Sequence, residues 1–226
     1  MHDADLTAIQ LDALREIGNV GAGNAATTLS DLLDKTVMID IPRVKPLSFE
    51  ETNPGDLPCQ AADTHIAAYS RIEGELKGGT LVLFSKKDSF LLSDALLKKN
   101  SQGTHQPLTP IDISALAESA YIFCCSYASA VADLLSLSRK VNPVIPQLAV
   151  EGDCKMDSAL IKKFSGGLTS AISIENIVTV EEAKRSGSDC LSAKDKEVSC
   201  ASRINLSVVF LLETESAKKA LEILGL

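Results

Sequence analysis

Residues 78–97 read GGTLVLFSKKDSFLLSDALL, and residues 204–224 read INLSVVFLLETESAKKALEIL. Each begins with an apolar run of strand length, passes a polar turn, and continues with Leu and Ala at helical spacing, so each predicts a strand followed by a helix. The unit closes each half of a chain of 226 residues, and the joint falls at the polar segment KKNSQGTHQPLTP, residues 98–110. Two repeats, about 1–105 and 106–226, are therefore expected to be pseudo-symmetric and to share one core.

The order of elements upstream of each unit agrees with this. Residues 6–34 predict a long helix in which Leu6, Ile9, Leu14, Ile17, Ala25, Leu29 and Leu32 are spaced broadly for one buried face, and residues 112–137 predict a second, apolar helix. After the first helix, VMIDIPRV (37–44) reads as a strand and THIAAYSRIEGEL (64–76) as another. After the second helix come the Pro-containing connection NPVIPQL (142–148), a helical segment near MDSALIKKF (156–164) and a strand at LTSAISIENIVTV (168–180). RSGSDCLSAKDKEVSCASR (185–203) is polar, Ser-rich and without apolar periodicity, and reads as a mobile loop between the last two strands.

Composition narrows the function classes. Hydrophobic residues make up 45% of the chain, enough to close a sizeable core and to exclude disorder for most of it. A net charge of -8 argues against a nucleic-acid partner, whose phosphates need clustered Lys and Arg. No uninterrupted apolar run approaches the ~18 residues of a membrane span and no signal sequence opens the chain, so a cytoplasmic protein without membrane insertion is expected. Cys59, Cys124, Cys125, Cys154, Cys190 and Cys200 contain no CxxC pair and no zinc spacing, and read as reduced thiols. Cys124 and Cys125 lie in the second helix as small hydrophobes. His2, His65 and His105 are scattered and suggest neither a triad nor a metal site.

The two long helices carry the same polar skeleton. DALREIGN places Asp12, Glu16 and Asn19 on one face, with Pro42 following after 22 intervening residues; SALAESAY places Ser114, Glu118 and Tyr121 at the same spacing. A helix advances about 100° per residue, so offsets of four and seven return within about 40° of the starting direction. A carboxylate or hydroxyl, a glutamate and an amide thus form a ridge able to enter a partner's active site. Taken alone, one such triplet is an ordinary solvated helix face. The Pro42 spacing, the strand after it and the second, imperfect copy favour the functional reading. GNVGAGNAA (18–26), which follows the first ridge, is not a phosphate-cradling loop: it has no strand before it and no GKS or GKT, and its glycines suit close helix packing.

This pattern resembles the CheC-type chemotaxis phosphatases, the CheC/CheX/FliY family, in which Asp or Ser, three residues, Glu, two residues, Asn, 22 residues and Pro recur. The first copy matches at Asp12, Glu16, Asn19 and Pro42. The resemblance implies a CheC-like fold of the α/β (α+β) class: one domain over 1–226, with long helices packed on a shared sheet of antiparallel type. It implies dephosphorylation in trans of the aspartyl phosphate of a CheY-type response regulator, with Asn19 and Glu16 as the catalytic pair. Asn19 would hold the attacking water, since a carboxamide offers both donor and acceptor, and Glu16 would pair with a receiver lysine. No cofactor of this chain's own is expected, and Mg2+ would belong to the phosphorylated receiver. Ser114, Glu118 and Tyr121 form a degenerate second site, because the amide has become a phenol and the position after 22 residues is Val144, between Pro143 and Pro146. The family also implies the receptor deamidase CheD as a partner. Glu151 is the candidate contact there, although LAVEGDCKMDSALIKKF (148–164) is more charged than the family's docking helix. A non-catalytic adaptor binding receivers or CheD is the alternative.

Overall fold

The computed structural model describes residues 6–48, 64–99, 107–138, 141–150, 170–181 and 203–226. Among them are four helices: α1 (Ala8–Leu33), α2 (Lys86–Leu96), α3 (Pro110–Leu134) and α4 (Thr214–Ile223). The eight strands are β1 (Thr36–Ile39), β2 (Arg43–Ser48), β3 (Thr64–Glu73), β4 (Gly78–Ser85), β5 (Asn142–Pro143), β6 (Gln147–Val150), β7 (Ser170–Glu181) and β8 (Arg203–Glu213).

The strands form one antiparallel sheet in the order β1-β7-β8-β4-β3-β5, with β2 also on β7 and β6 also on β3. The two strands of the repeated unit, β4 and β8, lie side by side, with Leu81 opposite Val209. The first two strands of each half leave it: β1 and β2 pair with β7, while β5 and β6 pair with β3. Neither half completes its own sheet edge, which is the physical reason that the two share a core.

The helix starts are written locally. Ser85 ends β4 and caps α2 by accepting a hydrogen bond from the Asp88 amide at 3.1 Å, so the polar turn expected between strand and helix shrinks to this cap. Thr109 opens α3 through a capping box with Asp112, and Pro110 takes the first helical position, where its missing N–H costs nothing.

Two expectations need correction. VMIDIPRV is not one strand but the end of β1, a break at Asp40–Pro42 and the start of β2, because Pro42 has no N–H to continue a ladder. NPVIPQL is more than a connection: it contributes β5 and the start of β6, and its prolines sit at a sheet edge, which tolerates them. The helix expected near 156–164, Glu151 and most of the 185–203 loop lie outside the described residues.

Alternation along the strands sends Ile66, Ala68, Val82, Phe84, Val208, Phe210, Ile174 and Val178 into one cluster with the inner faces of α1 and α3. The opposite sheet face is buried too at Ala67, Leu81, Leu83, Val209 and Leu211. Helix α3 is long and apolar enough to cross a membrane by length and composition alone, but 56% of its apolar window is buried in the fold, as in a core helix. The α1–α3 contact is close. A Cβ added at Gly21 would lie 2.5 Å from the Tyr127 ring, and that ring stacks on Phe210 with centroids 4.6 Å apart.

Candidate active site

Helix α1 is capped by Thr7, whose hydroxyl accepts from the Gln10 amide at 3.2 Å while the Gln10 side chain accepts from the Thr7 amide at 3.1 Å. Leu14, Ile17, Gly18, Gly21, Ala22, Ala25 and Leu29 fill its buried face. What remains outside is the ridge: Asp12, Glu16 and Asn19 are all exposed, and Ile9 continues the row toward the helix start. The Arg15 guanidinium donates to Asp12 at 2.5 Å, so Asp12 is already neutralised within the helix. Asn19 donates to Glu16 Oε2 at 3.5 Å, the long limit of a hydrogen bond. Among the described residues its amide oxygen takes no other partner, which leaves acceptor and donor within reach of a water on the solvent side.

Pro42 is buried behind this ridge rather than on it. A Cβ added at Gly18 would fall 2.5 Å from Ile174 Cγ2 and 3.2 Å from the Pro42 ring, so α1 seats on Pro42 and β7 one residue before Asn19. The break between β1 and β2 is pinned by the Asp40 amide donating to the Ile177 carbonyl at 3.0 Å, and by Asn176 donating to the Asp40 carbonyl at 3.5 Å. Proline at 42 therefore sets the height and rotation of the amide by contact with the helix backbone. Sequence reasoning singled out Pro42 by its spacing and Gly18 as a helix-packing residue, but did not join them. Asn176 and Ile174, two faraway residues on the same face of β7, carried no local signal.

The second site departs at each of these points. Ser114 and Glu118 are exposed on α3 at the same spacing, but Tyr121 is half-exposed and its hydroxyl pairs with the Cys125 thiol one turn further on. That hydrogen bond to Cys125, reinforced by the nearby Glu118 carboxylate, pushes the Tyr121 hydroxyl above the ordinary phenol range. Burial pushes the Cys125 thiol up, and pushes buried Cys124 up to about 12, so neither is an activated nucleophile. Val144 occupies the place that the spacing gives to Pro42, yet it is exposed. Its backbone is held to β3 by the Arg71 carbonyl at 2.7 Å and the Ser70 hydroxyl at 2.5 Å. Among the described residues no group of three His, Cys, Asp or Glu side chains is placed to hold a metal ion.

Comparison with known proteins gives this geometry a context. The family model described as CheC-like matches residues 9–45, a range that contains Asp12, Glu16, Asn19 and Pro42. The chain is similar to the CheY-P phosphatase CheC of Bacillus subtilis (strain 168), with 32% identity over 147 residues, 63% of this chain and 66% of that protein. It is also similar to the flagellar motor switch phosphatase FliY of the same organism, with 24% identity over 139 residues, 62% of this chain and 35% of that protein. The matches thus span just under two thirds and about one third of these curated relatives. The crystal structure of Thermotoga maritima FliY shares the fold, with a TM-score of 0.68 and 97% of both chains covered at 19% identity. Motif, family model and relatives agree: residues 9–45 match the CheC-like family, the chain is similar to CheC and FliY, and it shares the FliY fold.

Proposed function

We propose that this chain is a cytoplasmic phosphatase that hydrolyses the aspartyl phosphate of a CheY-type response regulator through the α1 ridge. The observation that carries the reading is the seating of α1: the ridge is exposed while Gly18 and Pro42 fix its height, which holds the Asn19 amide ready before a partner arrives. An acyl phosphate needs little covalent help. It needs a water in line with phosphorus and compensation of charge on the phosphoryl oxygens. The Asn19 carboxamide orients the water, and Glu16 pairs with a lysine beside the phosphorylated aspartate to set register. Charge compensation comes from Mg2+ and basic groups of the receiver, so no metal is assigned to this chain.

The test follows loss of phosphate from a purified phospho-receiver with and without the protein. Wild type accelerates the loss, and Asn19→Ala lowers the acceleration by about 100-fold while receiver affinity changes little, because orienting a water is a transition-state contribution. Equal acceleration by wild type and Asn19→Ala would remove the assignment. CheD is proposed as a further partner by the family relation alone. Calorimetry with wild type and Glu151→Arg tests it, and no binding at micromolar concentration rejects it.

A further inference from the structure

Close packing accounts for two of the three glycines in α1 and leaves the third without a reason inside the fold. A Cβ added at Gly18 or Gly21 would fall 2.5 Å from a neighbouring side chain, whereas one added at Gly23 would meet nothing nearer than Ile39 Cδ1 at 4.0 Å, an ordinary contact. Glycine in a helix interior costs about 1 kcal/mol relative to alanine, so the fold alone would favour a side chain there. Nor does the bare backbone offer a free acceptor. The Gly23 carbonyl lies within the helix ladder and also accepts from the Thr27 hydroxyl at 3.0 Å.

We propose that Gly23 is bare so that the phosphoryl-bearing segment of the receiver can descend onto the Asn19 amide. The inference rests on the reading that the α1 ridge hydrolyses an aspartyl phosphate. Gly23 follows Asn19 by four residues and Glu16 by seven, which places it on the same ridge one turn beyond the amide. Helical side chains lean toward the helix start, so each residue covers the turn before its own. Asn19 accordingly reaches back to Glu16, to which its Nδ2 donates at 3.5 Å. A side chain at position 23 would lean the same way and lie over the Asn19 turn. Its absence leaves the amide open from the direction of the helix end, while Glu16 occupies the other direction. Helix α3 fills the matching place: Tyr121 stands at the amide position and Cys125 four residues on, two side chains where α1 has a carboxamide and empty space. In-line attack needs room beside the amide for a water and, within about 3–3.5 Å of it, the phosphorus. One methyl at position 23 removes little of that room, and a long side chain removes most of it.

The experiment compares wild type, Gly23→Ala and Gly23→Gln as full chains in three measurements: urea unfolding, calorimetric affinity for a CheY-type receiver activated by beryllofluoride, and phosphate release from the phosphorylated receiver. Neither substitution lowers the urea midpoint, because alanine and glutamine are better helix formers than glycine and the space on the fold side is open. Gly23→Ala lowers accelerated release by about threefold, and Gly23→Gln lowers it by at least about 100-fold and weakens receiver affinity by at least about tenfold. Equal losses in the two variants would assign Gly23 to backbone flexibility rather than room and overturn the proposal. Wild-type release and affinity in Gly23→Gln would overturn it too, as would a urea midpoint lowered by Gly23→Ala, which would give the glycine a reason inside the fold. Wild-type acceleration that Gly23→Gln leaves unchanged sinks only the clearance. A wild type that accelerates nothing, but whose receiver affinity drops in Gly23→Gln, sinks only the phosphatase.

Discussion

Helices α1 and α3 carry the same polar spacing, and they differ most where they meet the rest of the molecule. In α1 the residues behind the ridge are Gly18 and Gly21, and the helix lies tight against Pro42, Ile174 and Tyr127. In α3 the equivalent positions hold Ala120 and Phe123, both buried, and the residue in the place of Pro42 is out in solvent. The exposed spacing is the same in both helices and its glutamate is shared, while the amide and the seating behind it differ. In the proposed reaction, holding a water depends on two things: the amide itself, and a helix backbone close enough to a rigid neighbour to fix its rotation.

Copying the second ridge onto the first is the strongest way to break that comparison. Asn19→Tyr should cut the acceleration of CheY-P hydrolysis by about 100-fold and change receiver affinity by less than about threefold, measured by phosphate release and calorimetry on the same samples. If activity persisted, the amide would not be the distinguishing group. The seating is tested next. Gly21→Ala drives a methyl into the Tyr127 ring and should cost roughly 1–3 kcal/mol in urea unfolding. Gly23→Ala, on the same helix but with nothing nearer than 4.0 Å, should be neutral or stabilise by up to about 1 kcal/mol. Equal losses at the two glycines would mean that α1 is not closely seated.

Acid separates the helices as well. Burial alone would raise the Asp112 carboxyl, but the Lys99 ammonium and the Thr109 hydroxyl and amide outweigh it and hold the group at about 2, below its ordinary 3.8. The folded form thus binds the proton more weakly than the unfolded form. Roughly 2 kcal/mol of stability is present above the ordinary carboxylate range and is lost as pH falls from about 4 to 2. The difference in urea midpoint between wild type and Asp112→Asn should shrink over that interval. The α1 start, capped by the uncharged Thr7 and Gln10, has no such dependence. The smallest effect is expected from Tyr121→Phe, which removes only the hydroxyl bonded to Cys125 and should move phosphate release by less than about twofold. A larger loss would give the second ridge a catalytic part.

Much of this was legible in residue order. The repeated strand–helix unit at 78–97 and 204–224 became β4–α2 and β8–α4 because alternation and helical spacing are local, and the caps at Ser85 and Thr109 are local too. The ridge was legible because three residues at offsets of four and seven must share a face of any helix. The strands at 37–44 and 142–148 were less so. Prolines there interrupt or border short edge strands, and whether a segment pairs depends on a partner far along the chain.

By itself, then, the order of residues determined the long helices, the two strand–helix units and the face on which Asp12, Glu16 and Asn19 stand. Only the tertiary structure decided that each half completes the other's sheet and that Gly18 meets Pro42 and Ile174. Periodicity is a property of neighbours within one turn or two residues. The distance between a glycine on α1 and a proline beyond its end, or an isoleucine on a strand more than a hundred residues away, is set by how the whole core closes.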